Sequence, residues 1–374
     1  MPPTLTDRQL AGALRLRDLS DPASGPHAMQ LIVAAVADAC KARWRCPVHV
    51  YRASPIVTVA ENYEVLGYPP DARAREARYT RYLDDGRLLR THTSAMIPQA
   101  LRRVDGGSPG TELAVACPGL VYRRDVVDRL HVGEPHQFDL WRVRRDDVLG
   151  AAELTEMVDL VVSAVMPGAR HRTLPASHPY TRDGREVEVL VDGAWVELLE
   201  CGLAAPHVLH AAGLDPATWS GLALGIGLDR AVMLRKGIAD IRLLRSSDPR
   251  VGGQMLTLDA YREVSSMPPA TRDISIAVAS GMTSEELGDR VRESLTADTL
   301  DAVEEVTVVS ETPGSELPAA AVARIGLQQD QKNVLVRLVL RHPTRTLTAE
   351  EANRIRDEIY AAVHQGHAHQ WASK

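Results

Sequence analysis

The sequence predicts an α+β protein: an antiparallel sheet flanked by helices, followed by a smaller domain of β-α-β-β-α-β type. Three observations lead there. An apolar helical run near the N-terminus gives way to β-branched residues. The middle of the chain holds several strand-like runs with period-2 alternation. After a proline break, the C-terminal part reads strand, helix, strand, strand, helix.

Pro26 to Arg43 is apolar with few breakers and predicts a helix; from Pro47 the run PVHVYRASPIVTV predicts strand. Residues 68–88 are rich in Pro, Asp and Arg without a sustained apolar period, so a long surface loop is expected. ELAVACPGLVYR (112–123), REVEVLVDGAWVELLECGL (185–203) and SGLALGIGL (220–228) predict strands. Alternation at Val187, Val189 and Val191 makes that sheet antiparallel. A boundary is expected at Ser265-Ser266-Met267-Pro268-Pro269, which divides the chain into domains 1–264 and 267–374. Beyond it TRDISIAVA opens a new strand. Thr283-x-x-Glu286 and Thr348-x-x-Glu351 are capping boxes that start two helices. Their apolar faces are Leu287, Val291 and Leu295, and Ala352, Ile355, Ile359 and Val363. This order is that of a split βαβ, ferredoxin-like domain.

Composition narrows the class. With 374 residues, 45% apolar and 25% charged, the chain is ordinary globular protein with no run of about 18 apolar residues to span a membrane. The first 25 residues do not follow the charged-then-apolar plan of a secretion signal, and Asp7, Asp18 and Asp21 break the acid-poor pattern of a transit peptide, so a cytoplasmic location is expected. Cys40, Cys46, Cys117 and Cys201 have no spacing that suits zinc and are expected to be reduced and mostly buried. A net charge of −6 means that a nucleic-acid partner must be held by local basic patches.

Three stretches carry candidate chemistry. GLALGIGLDR (221–230) is neither a dinucleotide fingerprint nor a P-loop, but glycines inside an apolar strand mark a bulge or a flat ligand pressed on the backbone. The Asp229-Arg230 pair that follows can meet a phosphate at a helix start. LVYRRDVVDRLHVGEPHQFDLWRV (120–143) gathers Arg123, His131, His136, Gln137 and Asp139 in one hairpin. LLRTHTSAMIPQ (88–99) places His92, Thr93 and Ser94 after an apolar pair and by itself reads as a capped helix start.

Taken together, RTHTSA, VYRRD with the following D-x-x-H and HQ-x-D, ELLECG, GLALGIGLDR and DIRLL-x-x-x-D-x-R resemble the catalytic domain of phenylalanyl-tRNA synthetases, a class II aminoacyl-tRNA synthetase family. PPATRDISIAV and RHPTRTLTAEEANRIRDEI resemble its ferredoxin-like anticodon-binding domain. The resemblance covers nearly the whole chain and is strongest to the single-chain, organellar architecture. It implies a class II antiparallel sheet, ATP and Mg²⁺, activation of phenylalanine as the adenylate, and transfer to tRNA. No separate β subunit is expected, and the chain would be a monomer or homodimer.

The residue roles below are those the resemblance implies. Pro55 ends motif 1. Arg123 grips the α-phosphate of ATP, Arg230 the γ-phosphate, and Glu197 lies near ATP and its magnesium. His131 joins the ATP site, and Gly225 and Gly227 leave room for adenine. Gln137 and Asp139 receive the α-ammonium, with His92, Thr93 and Ser94 helping to place it. His178, Tyr180 and Ala223 line the side-chain pocket, while Arg337, Arg341, His342 and Arg345 offer a patch to tRNA phosphate.

The chain departs from the family in several places. His178-Pro179-Tyr180 replaces an F-P-F run, aspartate replaces glutamate at 125, 139 and 229, and Leu140 stands where glycine or alanine is usual. Two alternatives accompany the ligase reading: a paralogue that activates a related amino acid for tRNA or another acceptor, and a non-catalytic tRNA-binding or regulatory relative.

Overall fold

The structure is a computed structural model that describes residues 4–83, 86–103, 110–264 and 267–368. The chain folds into two compact units. The first comprises Met1–Arg123, Glu134–Ile238 and Gln254–Tyr261, and the second Arg124–Gly133, Ala239–Gly253 and Arg262–Lys374. Ser265 and Ser266 of the expected boundary, and residues 369–374 of the expected second domain, lie outside the described residues.

Strands of the first unit are β1 (Val48–Val50), β2 (Ile56–Thr58), β3 (Arg87–Leu89), β4 (Glu112–Leu120), β5 (His136–Arg145), β6 (His171–Pro175), β7 (Thr181–Val191), β8 (Ala194–Ala204) and β9 (Trp219–Gly227). Seven of them form one sheet in the order β1-β4-β5-β9-β8-β7-β6, antiparallel except for the parallel β1/β4 pair. β2 and β3 pair separately. The helix predicted from Pro26 runs Ala28–Trp44. It starts where the His27 ring accepts the Met29 N–H and ends at Arg45 in the left-handed conformation. It packs against the helices Ala151–Val165 and Leu228–Lys236.

One face of the sheet decides where a site can lie. Leu113, Val115, Cys117, Trp141, Val143 and Ala223 are buried in a core with Ile97, Leu101, Val208 and Leu209 from two short helices. Burial of side chains this size contributes on the order of 1.5–3 kcal/mol each. Farther along β5, the same period-2 face presents Asp139 and Gln137 instead, and there the core ends.

Two local expectations are corrected. Of the expected loop 68–88, residues 84 and 85 lie outside the described residues, and the rest is not a plain surface loop: Thr80 and Arg81 are buried, and the Tyr63 hydroxyl bonds Thr80 Oγ1. Bridges link Thr80 to Arg123 and Tyr82 to Leu88, so tertiary partners supply order that local periodicity lacked. Nor does RTHTSA start a capped helix. A short 3-10 turn, Thr93–Met96, precedes the helix Ile97–Leu101, and no side chain caps either.

In the second unit β10 (Ala270–Ala279), β11 (Val303–Pro313) and β12 (Gln331–Leu340) form an antiparallel sheet ordered β10-β12-β11. Both capping boxes are present, at Thr283/Glu286 and Thr348/Glu351. The helices they open, Ser284–Ser294 and Ala349–Val363, bury Leu287, Val291, Ala352, Ile355, Ile359 and Val363 against the sheet, with Leu295 partly buried beside them. A further helix, Ala319–Ile325, joins β11 to β12. Gln365 N–H donates to the Ala277 carbonyl on the edge of β10, where the closing strand of a βαββαβ fold belongs. Among the described residues the four cysteines are buried and unbridged, and no helix is long and apolar enough to cross a membrane.

Candidate active site

A cleft of roughly 450 Å³, including its open mouth, is lined by His92, Ser94, Gln137, Asp139, Tyr180, Glu197 to Glu200, and Gly225 to Gly227. Cross-strand register builds it. Gln137 pairs with Gly227 and Asp139 with Gly225, and Gly225 pairs on its other side with Glu200. Paired residues share a face. Side chains of β5 and β8 therefore stand on either side of two bare glycines. A Cβ at Gly225 or Gly227 would meet nothing closer than 3.9 Å, whereas one at Gly202 would fall 2.7 Å from Thr181 Cβ. Gly202 is glycine because protein packs there; Gly225 and Gly227 face open space sized for a ligand.

Asp139 is the electrostatic centre. It is 3% exposed and accepts hydrogen bonds from Thr93 Oγ1 (2.6 Å), Ser94 Oγ (2.9 Å) and Trp141 Nε1 (3.3 Å). Burial raises its pKa to about 6 despite those three donors, which oppose the rise. The Thr93 and Ser94 hydroxyls that could have capped a helix are spent here. Gln137 Oε1 accepts the Thr93 N–H at 3.3 Å. His92 stacks on Tyr68 with centroids 5.6 Å apart, and neither ring nitrogen has a well-aligned hydrogen bond. Burial, reinforced by the Arg123 charge, lowers its pKa to about 4, so the ring is neutral at pH 7.

At the other side of the cleft Arg230, in the first turn of Leu228–Lys236, donates to Glu197 Oε2 at 3.0 Å. Both side chains are about 40% exposed, at 39% and 44%, and remain available to solvent. Glu197 and Glu200 share a face although they are three positions apart. Leu199 pairs with Val187 and Glu197 with Glu188, so Leu198 is the extra residue of a β-bulge that reverses the alternation. Tyr180 is partly buried among His178, Trp141 and Tyr68, with ring centroids at 5.6, 6.4 and 6.4 Å. Ala223 is 1% exposed within the core beneath. His178 does not line the cleft. Its Nδ1 bonds Thr181 Oγ1 at 3.0 Å, and its Nε2 lies 3.3 Å from Glu200 Oε2.

Other candidates take structural positions. His131 belongs to the second unit, where Nδ1 lies 2.8 Å from Asp128 Oδ2. Asp229 accepts the His136 N–H, and His136 Nε2 accepts the Leu19 N–H at 2.9 Å; both residues anchor backbone. In the second unit Arg337 forms a two-pronged pair with Asp273 (2.8 Å), Arg341 pairs with Glu304 (2.7 Å) and Arg345 with Glu351 (2.8 Å), while His342 is held below the usual histidine range by burial. Each cation of that patch is already matched by a carboxylate. Sequence reasoning missed Glu200 and Tyr68. Glu200 sits inside ELLECG, and its place in the cleft depends on the bulge.

Comparison with known proteins agrees with the geometry. Residues 36–255 match the tRNA synthetases class II core domain (F), and residues 265–370 match the ferredoxin-fold anticodon binding domain. Among relatives, the phenylalanine–tRNA ligase alpha subunit of Nostoc punctiforme is 37% identical over 189 residues, covering 50% of this chain and 55% of that protein. That of Prochlorococcus marinus (strain MIT 9313) is 38% identical over 189 residues, covering 50% and 54%. That of Leptospira biflexa is 36% identical over 208 residues, covering 52% and 59%. The chain thus spans a little over half the length of these relatives. With the core model covering more than half of its residues and the cleft built on that core's sheet, the chain belongs to the class II tRNA synthetase core family, type F, and carries a ferredoxin-fold anticodon-binding domain behind it.

Proposed function

We propose that the chain is an ATP-dependent ligase that activates phenylalanine or a related amino acid as its adenylate and transfers the acyl group to the 3′ end of a tRNA. The observation that carries this reading is the cleft itself. A buried anion, Asp139, lies at one end, an Arg230–Glu197 pair at the other, and bare glycine backbone between them. The α-ammonium lies against Ser94 Oγ and Gln137 Oε1, above the Asp139 charge. Adenine lies over Gly227, and Arg123 and Arg230 meet the phosphates.

The chemistry needs no general base. The amino-acid carboxylate is already ionised at neutral pH. Its oxygen bonds to the α-phosphorus as the bond to pyrophosphate breaks, and the arginines stabilise the charge that develops. A ribose hydroxyl of tRNA then attacks the acyl carbon and AMP leaves. No group of three or more metal-ligating side chains occurs among the described residues, so Mg²⁺ would rest on phosphate oxygens, water and Glu197, a donor set it favours. Bound there, it would neutralise phosphate charge. The second unit would bind the anticodon arm, and with both parts on one chain no separate β subunit is required.

ATP–pyrophosphate exchange by the purified chain alone, with each amino acid in turn, tests the reading. Exchange dependent on one amino acid supports it. Folded protein that exchanges with none refutes it.

A further inference from the structure

Asp139 and Glu200 flank Gly225 on the same face of the sheet, one on each neighbouring strand. Strand spacing of about 4.8 Å puts their backbones about 10 Å apart. Both carboxylates line the cleft, and the backbone between them carries no side chain. The proposed chemistry uses Asp139 but gives Glu200 no role. A histidine ring nevertheless lies against Glu200. The His178 side chain, only 8% exposed, is fixed through Nδ1 by Thr181 and directs Nε2 at Glu200 Oε2, 3.3 Å away. That nitrogen has no well-aligned hydrogen bond, so a buried polar ring is aimed at a carboxylate that is itself 43% exposed. Placing a plain benzyl group against Glu200 would strip water from a charge without replacing its hydrogen bonds, which is costly. A donor-bearing side chain would replace them.

We propose that Glu200 selects the amino-acid side chain, and that the favoured substrate ends in a hydrogen-bond donor, a hydroxyl or an amine, in place of the bare ring of phenylalanine. This rests on reading the cleft as an amino-acid activation site, with the α-ammonium at the Asp139 end and the donor at the Glu200 end. With the α-ammonium on Ser94 Oγ and Gln137 Oε1, a side chain the length of tyrosine or lysine extends toward Glu200, where a charge-assisted hydrogen bond of about 2.8 Å can form. The ring of Tyr180, which lines the cleft, gives such a side chain an aromatic wall.

The test is pyrophosphate exchange with phenylalanine, tyrosine, amino-substituted phenylalanines, lysine and ornithine, in the parent chain and in Glu200→Ala and Glu200→Gln. The readout is the ratio of kcat/KM for a donor-bearing substrate to that for phenylalanine. Measured within one preparation, this ratio does not depend on the folded fraction. The expected parent ratio is about 100 or more, because a site that hydrogen-bonds its substrate rejects the analogue lacking the donor strongly. Glu200→Ala should lower it at least tenfold, and Glu200→Gln by less. A parent that prefers phenylalanine overturns the inference and leaves the ligase reading standing. A donor preference that Glu200→Ala leaves in place overturns the role of Glu200. No exchange with any amino acid overturns the ligase reading, and this inference with it.

Discussion

Replacing Asp139 by asparagine removes one ionisation and little volume, and its consequences can be worked from the buried network. Burial moves the carboxyl from its ordinary value of 3.8 to about 6. At 1.36 kcal/mol per unit this is about 3 kcal/mol. The sign follows from where the proton sits. Between pH 4 and 6 the folded chain holds a proton on Asp139 that the unfolded chain has lost, so stability is full below pH 4 and falls as pH rises through 6. Asparagine has no such dependence. Denaturant unfolding at pH 4 and pH 7 should therefore show the stability difference between Asp139→Asn and the parent shifting by about 3 kcal/mol in favour of the variant. Asp301, also raised to about 6 by burial, titrates in the same window but cancels in that difference. Catalysis moves the other way. The ammonium needs the anion, so parent kcat/KM for the amino acid should rise with pH through about 6, and the variant should lose that limb along with most of its activity. A variant whose unfolding keeps the parent pH slope, or whose pH–rate profile still rises through 6, refutes the reasoning.

Arg123→Ala and Arg230→Ala should each lower pyrophosphate exchange by on the order of 100-fold, since each removes a charged contact to phosphate; parental rates in both would sink the phosphate assignment. Gly225→Ala should change stability by less than about 1 kcal/mol while raising the KM for the amino acid, because its Cβ enters open cleft beside Asp139. Gly202→Ala, which drives a Cβ into Thr181, should lower the unfolding midpoint; equal stability for the two variants would refute this distinction. A chain ending at Val264 should lose tRNA charging by more than tenfold and also unfold earlier. It leaves Val127 without its core and Arg242 without the Asp301 and Arg341 carbonyls that it binds at 2.9 Å. Unchanged charging, measured with radiolabelled amino acid, would contradict it.

The capped helices at Thr283 and Thr348, the long helix behind Pro26 and the β10 strand were legible because their signals are local: a capping box, a 3.6-residue period, a β-branched run. The motifs that carry the family resemblance could likewise be read from residue order. They named His92, Ser94, Gln137, Asp139, Glu197, Gly225 and Gly227, which the structure brings into one cleft. Local order could not reveal what the cleft's depth and cross-strand register impose.

By itself the sequence determined the fold class, the capped helices and the residues on which the proposed adenylate chemistry would draw. The tertiary structure decided which of them meet. Period-2 alternation assigns Glu197 and Glu200 to opposite faces, and only pairing with β7, which leaves Leu198 as an extra residue, turns both into the cleft. Asp139 reads as an ordinary strand carboxylate until Thr93, Ser94 and Trp141 close over it and burial raises its pKa. Arg124–Gly133 and Ala239–Gly253, embedded in the catalytic sequence, pack with the C-terminal unit because the carbonyls of Asp125 and Val126 accept Arg292, and Arg242 binds the carbonyls of Asp301 and Arg341. Strand register and buried hydrogen bonds join residues far apart in the chain, and no local pattern encodes that pairing.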